Sequence, residues 1–319
     1  MYDIVIIGAG IAGLTAAIYA RRAGKSVLVL EKEAYGGQII NTLEIENWPG
    51  DFKVSGANLM QKVYNQATAL GAEVEFEQVE SITKSSEYRD AKDAADEARA
   101  LWLVKTEDAE YTASAIILAV GAENRKLGLP REDELVGRGI SYCATCDGAF
   151  YKGKSVAIIG GGNTALDDAL YLSDLCKKVY LVHRREEFRG DAATVAKLKE
   201  KANVEMVLGF IPEKLEGDKK LEGLVVKNTP QAGQISDPSV KNLSVEGVFV
   251  AIGQVPGTTE YSELVDLDDK GYIIAGEDCH TSCPGIFVAG DCRTKSVRQL
   301  VTAASDGCIA AAAAVDFLS

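Results

Sequence analysis

One pattern occurs twice in this chain, 152 positions apart, and it leaves few folds open. Residues 2–31 read "YDIVIIGAGIAGLTAAIYARRAGKSVLVLE" and residues 154–185 read "KSVAIIGGGNTALDDALYLSDLCKKVYLVHRR". Each begins with an apolar, β-branched run, turns at a glycine cluster, continues with helical character and ends in a second apolar run. The register holds throughout: Gly8 falls on Gly160, Gly10 on Gly162, Gly13 on Ala165 and Glu31 on His183. Strand, glycine turn, helix and strand make a βαβ unit, which requires a parallel sheet covered by helices. In the G-x-G-x-x-G spacing, Gly8 allows the tight turn and Gly10 lets backbone approach a pyrophosphate. Gly13 lets the helix pack closely on the strand. The fold class is therefore α/β, with two Rossmann-like dinucleotide-binding domains.

The copies differ where they should meet the ribose. The Glu31 carboxylate can accept hydrogen bonds from a 2′-hydroxyl, which suits FAD or NAD. The second copy has His183, Arg184 and Arg185 there, followed by Arg189; these suit a 2′-phosphate and hence NADPH. Two different dinucleotide sites in one chain point to hydride transfer between nicotinamide and flavin.

Three related apolar runs, at 115–122, 247–254 and 285–292, help to divide the 319 residues. The first two flank the second nucleotide unit, so an NADPH domain of residues 119–248 is expected as an insertion into a discontinuous FAD domain, 1–118 plus 249–319. The third run ends in Gly290-Asp291, an acid at the carboxyl edge of a strand, where α/β sheets bind ligands. Residues 85–102 read as a charged, solvated helical excursion, and the alanine-rich tail as a close-packing helix.

Charge narrows the partners. With 47 acidic against 34 basic residues, the net charge is −13, which disfavours nucleic acid and anionic membrane surfaces. The N-terminal apolar stretch lacks the basic start and cleavage site of a signal peptide, and no other segment reads as a membrane span. A cytoplasmic address is expected. There the seven cysteines are more at home reduced, catalytic or ligating than as a structural framework.

Cys143 and Cys146, in "SYCATCDGAF", have the spacing at which two sulfurs can bond directly. Zinc, a structural disulfide and a redox-active disulfide are the three readings of such a pair. Zinc would need Cys279, His280, Cys283 or Cys292 from a distant segment, at a spacing that fits no zinc pattern, and the sequence assigns no metal. Structural disulfides are rare in the cytosol, which leaves the redox reading in front. A helix N-terminus would favour thiolate at this pair, and Asp147 could protonate a leaving thiolate if burial raises its pKa. Cys176 and Cys308 read as small core residues, and Cys279, Cys283 and Cys292 as fillers rather than an accessory thiol set.

Taken in order, "GAGIAG", "GGQI", "ENWPGD", "CATCDGAF", "GGGNTALDDALYL", "HRREEFR", "GIFVAGDC" and "RQLVTAASDG" resemble the low-molecular-weight, bacterial-type thioredoxin reductases over almost the whole chain. The resemblance implies FAD held by Gly8, Gly10, Ala12, Gly13, Glu31, Lys32, Gly37, Gln38, Asn47, Gly290, Asp291, Arg298, Gln299 and Leu300. It implies NADPH held by Gly160, Gly162, Asn163, Thr164, His183, Arg184, Arg185 and Arg189. Cys146 would be the sulfur nearer the flavin, Cys143 the one that attacks a thioredoxin disulfide, and Asp147 the acid. A homodimer is implied as well.

Overall fold

The structure is a computed structural model that describes every residue except Leu43, 86–100 and 229–238. In chain order the strands are β1 (Tyr2–Ile7), β2 (Val27–Leu30), β3 (Glu73–Glu75), β4 (Val79–Lys84), β5 (Trp102–Thr106), β6 (Glu110–Leu118), β7 (Ala122–Asn124), β8 (Ile140–Ser141) and β9 (Ser155–Ile159). They continue with β10 (Lys178–His183), β11 (Val204–Leu208), β12 (Phe210–Glu216), β13 (Gly223–Asn228), β14 (Val240–Leu243), β15 (Gly247–Val250), β16 (Gln254–Pro256) and β17 (Ile286–Val288). The helices are α1 (Ile11–Arg22), α2 (Gly56–Ala69), the single turns α3 (Glu132–Leu135) and α4 (Ala144–Asp147), then α5 (Asn163–Leu175), α6 (Ala192–Lys199) and α7 (Leu300–Phe317).

Two compact units result: Met1–Glu123 with Val255–Ser319, and Asn124–Gln254. In the first, β1 lies between β2 and β6 and runs parallel to both; Ile4 faces Val27 and Ala115, and Ile7 faces Leu30 and Leu118. The sheet order is β3-β2-β1-β6-β5-β4, with β17 also parallel on β6. Alternation explains why these strands read as unbroken apolar runs. Ile4, Ile6, Val27 and Val29 pack with α1 and α7, while Val5, Ile7, Leu28 and Leu30 pack with Trp102, Tyr261 and Ile273 on the other face.

The tail helix α7 is long and apolar enough to cross a membrane by length and composition alone. Its small-residue stripe Ala303, Gly307, Ala310, Ala311 and Ala314 is instead buried in the core shared with α1. A Cβ on Gly307 would lie 2.2 Å from the Ala12 carbonyl oxygen, so the two helices meet backbone to backbone.

The second unit repeats the arrangement. Here β9 lies between β10 and β15, parallel to both, in a sheet ordered β11-β10-β9-β15-β8. A three-stranded antiparallel sheet, β12-β13-β14, completes it.

Three expectations need correction. The division at 248/249 would cut β15, yet Phe249 pairs with Ile158 and Ser141 and belongs to the second sheet. The division at 118/119 falls short as well, because Ala119 still bonds to Ile7 of the first sheet. An apolar run marks a strand without saying which sheet accepts it. Within the 85–102 stretch, Trp102 begins β5, paired with Lys84 and Ala113 and only 2% exposed; 86–100 lie outside the described residues. Cys308 is half-buried rather than a core residue. Cys176 is buried against the Tyr151 carbonyl, as expected of a filler. Cys279 and Cys292 pack on opposite faces of the first sheet.

Candidate active site

In the first unit the turn between β1 and α1 is shaped by close backbone contact. A Cβ on Gly13 would fall 1.9 Å from the Gly8 oxygen, and one on Gly8 (φ +105°) 2.5 Å from the Ala119 oxygen, so neither position admits a side chain. Around a Cβ placed on Gly10, by contrast, no atom lies within 4 Å: that edge is open to a phosphate. The Glu31 carboxylate ties the turn down, accepting from the Ala9 N–H at 2.8 Å and the Glu33 N–H at 3.2 Å. Distant segments converge here. A Cβ on Gly37 would lie 3.6 Å from the Gly10 Cα, and one on Gly290 (φ +85°) 3.0 Å from the Ala12 Cβ.

Asn47 donates to Gln299 at 3.2 Å, Gln38 donates to the Ala122 carbonyl, and the exposed Lys32 pairs with Glu123 at 3.7 Å. The Arg298 guanidinium lies 4.1 Å over the Tyr272 ring and donates to the carbonyls of Asp291, Arg293 and Lys295. Leu300, half-buried beside Ile39 and Trp48, begins α7. Asp291 Oδ1 is buried with no hydrogen-bond partner, so a ligand hydroxyl delivered there would satisfy it. Burial pushes the Asp291 carboxyl up, against the pull of Lys295 and Arg298. These features fit an extended dinucleotide.

A buried ion cluster that sequence reasoning missed supports this floor. Asp306, on α7, accepts from Arg293 at 2.9 and 3.0 Å, from Lys295 at 2.8 Å and from the Gly290 N–H at 3.0 Å. Burial pushes the Asp306 carboxyl up, but the bonds from Arg293 and Lys295 outweigh it and hold it low. Removing one member would leave a buried charge unpaired. An acid inside an alanine-rich helix has no local pattern that announces its partners.

In the second unit Gly162 is as open as Gly10, while Ala165 replaces the third glycine. Asn163 and Thr164 begin α5, both exposed. The basic loop after β10 is pinned to the turn: Arg189 N–H donates to the Gly161 carbonyl at 2.8 Å and Asp191 N–H to Asn163 Oδ1 at 2.8 Å. Arg184, Arg185 and Arg189 are exposed, while His183 is 5% exposed, stacked on Phe188 and set beneath Gly161. Burial, with the Arg189, Arg184 and Arg185 charges, holds the imidazole below its usual pKa. His183 is therefore neutral, with a buried, unpartnered Nε2, and the charge for a phosphate falls to the arginines.

The same unit carries the sulfur pair. Cys143 caps α4 at its N-terminus, and its Sγ is bonded to Cys146 Sγ at 2.02 Å. Among the described residues, no group of three or more His, Cys, Asp or Glu is gathered to hold a metal. Asp147 closes the turn. Burial raises its carboxyl pKa, opposed by a hydrogen bond from Ser141 at 2.6 Å. Buried Glu132 accepts from the N–H groups of Leu127 and Gly128 and from the Tyr142 hydroxyl at 2.9 Å, fixing the residue before Cys143. Neither Ser141 nor Glu132 stands in a spacing that the sequence alone could flag. The arrangement is a disulfide beside a carboxyl kept protonatable by burial; once that disulfide is reduced, its dithiol can exchange with another disulfide.

The family model described as pyridine nucleotide-disulphide oxidoreductase matches residues 2–307. The chain is 39% identical to a thioredoxin reductase of Listeria monocytogenes over 97% of its length and 92% of the relative's. It is 38% identical to one of Bacillus subtilis, over 98% and 93%. Its structure is similar to that of a thioredoxin reductase from Streptococcus pyogenes, with a TM-score of 0.89, 35% identity, and coverage of 100% of this chain and 98% of the other.

Proposed function

This chain belongs to the pyridine nucleotide-disulphide oxidoreductase family, and on that premise we propose that it is an NADPH-dependent, FAD-containing thioredoxin-disulfide reductase. The observation that carries the reading is the Cys143–Cys146 disulfide with half-buried Asp147 beside it, inside a nucleotide-binding unit. FAD would be held by Gly8, Gly10, Ala12, Gly13, Glu31, Lys32, Gly37, Gln38, Asn47, Gly290, Asp291, Arg298, Gln299 and Leu300. NADPH would be held by Gly160, Gly162, Asn163, Thr164 and His183, with Arg184, Arg185 and Arg189 for its 2′-phosphate. When bound, the two cofactors supply the electron pair that reduces the disulfide.

The chain's own residues do the rest. The Cys143 thiolate attacks one sulfur of oxidised thioredoxin, whose other sulfur leaves as thiolate and takes a proton. Cys146 then attacks Cys143 Sγ in the mixed disulfide, reforming the Cys143–Cys146 bond and releasing thioredoxin as a dithiol. Asp147 holds the proton for a leaving thiolate. A homodimer in the cytosol, where free thiols such as Cys283 persist, completes the proposal.

Steady-state NADPH oxidation by the yellow holoprotein, with thioredoxin in excess, is the test. Continuous turnover is expected, whereas a non-catalytic redox sensor would stop after one reduction. Cys143→Ser should abolish thioredoxin reduction while NADPH still bleaches the flavin. Normal turnover in that variant, or turnover only with reduced ferredoxin as donor, would sink the reading.

A further inference from the structure

Ser141 stands where three polar contacts cross. Its Oγ accepts from the Cys143 N–H at 3.1 Å, and its hydroxyl lies 2.6 Å from Asp147 Oδ2 and 3.3 Å from the Cys143 carbonyl oxygen. One hydroxyl has one proton, so it donates to only one of these at a time. The short bond to an ionised carboxylate wins. When Asp147 Oδ2 takes up a proton, the hydroxyl can turn, accept from the carboxyl and donate to Cys143 O instead. One side chain, 4% exposed, thus serves both protonation states of the acid without moving the backbone. Its own place is set by the sheet, since β8 pairs with β15 through Ser141 and Phe249.

We propose that Ser141 is a positioning residue for thiol–disulfide exchange, linking the proton donor Asp147 and the peptide of the attacking Cys143 in one hydrogen-bonded chain. The proposal rests on the exchange reading above. Among the described residues, α4 packs most closely against the 3₁₀ turn Gly148–Tyr151 and α5. Their titratable groups are Tyr151, and Asp167, Asp168, Tyr171 and Asp174 of α5. The Tyr151 phenol is pushed up to about 12 by burial and by the Asp147 and Cys176 charges. Asp168 is pushed up to about 6 by burial and by Asp167, within the range a pH profile scans, and so needs its own control.

The experiment is the pH profile of kcat, with NADPH and thioredoxin, for the holoprotein and for Ser141→Ala, Ser141→Thr, Asp147→Asn and Asp168→Asn. The hydroxyl's bond favours the carboxylate and so lowers the pKa of Asp147. Without it the donor stays protonated to higher pH. The limb on which activity falls as pH rises should move up by about one pH unit in Ser141→Ala, the loss expected for one hydrogen bond to a charged group. Ser141→Thr should keep the original limb, as should Asp168→Asn. In Asp147→Asn the limb should vanish, and adding Ser141→Ala should then shift nothing. A lowered kcat with an unmoved limb in Ser141→Ala means a merely structural role and overturns the proposal. Persistence of the limb in Asp147→Asn overturns the donor role of Asp147 itself, a distinct failure. If the alanine variant does not retain FAD, Ser141→Cys, a weak donor of similar size, carries the same prediction.

Discussion

Glu31 and His183 occupy equivalent places in the two βαβ units and do different work. Glu31 accepts from two backbone N–H groups, and on the proposed reading its charge would reject a 2′-phosphate. His183 is neutral and buried, a spacer beneath Gly161 that leaves the arginines on the rim. On the proposed reading, cofactor choice in the second unit rests on exposed charge. Each exposed contact is weaker than a buried one, so Arg184→Ala with Arg185→Ala should raise the KM for NADPH about tenfold, or about 1.4 kcal/mol. The KM for NADH should stay unchanged. Parallel titrations of the two nucleotides check this, and equal increases would remove the 2′-phosphate assignment.

Between elements, the third glycine of the motif is where the copies part. Gly13→Ala would drive a Cβ into the Gly8 oxygen and push α1 off β1. We expect a loss of about 1–3 kcal/mol of stability and release of FAD, read from Tm and from flavin retained on gel filtration. Ala165→Gly should cost only about 1 kcal/mol, the helix penalty of glycine, since α5 already accommodates a Cβ there. These turns were legible because their geometry is written in consecutive residues. The pairing of β15 with β9 was not, nor was the cluster of Arg293, Lys295 and Asp306. Ser141, poised over Asp147, was equally silent. Each is a contact across the fold between residue types common everywhere, and only tertiary packing gives them meaning. The nucleotide-binding units and the sulfur pair could be read from the chain, but not the residues that hold them in position.

At the scale of the molecule, the second unit is self-contained. Both of its hydrophobic clusters draw only on residues between Leu127 and Ala251, one around Val226 and Val248, the other around Leu166 and Phe249. Expressed alone, residues 124–254 should melt cooperatively by circular dichroism and bind an NADPH-affinity resin, yet carry no flavin. Failure to fold would show that it needs the first unit. That first unit is split: β6 borders β17, and α1 packs on α7, from the far end of the chain. A ribosome must therefore finish the whole of the inserted unit before it makes Asp291, Arg298 or Gln299. If these residues hold FAD as proposed, flavin capture follows synthesis of the inserted unit, and a polypeptide stalled or clipped before Asp291 would leave the ribosome colourless.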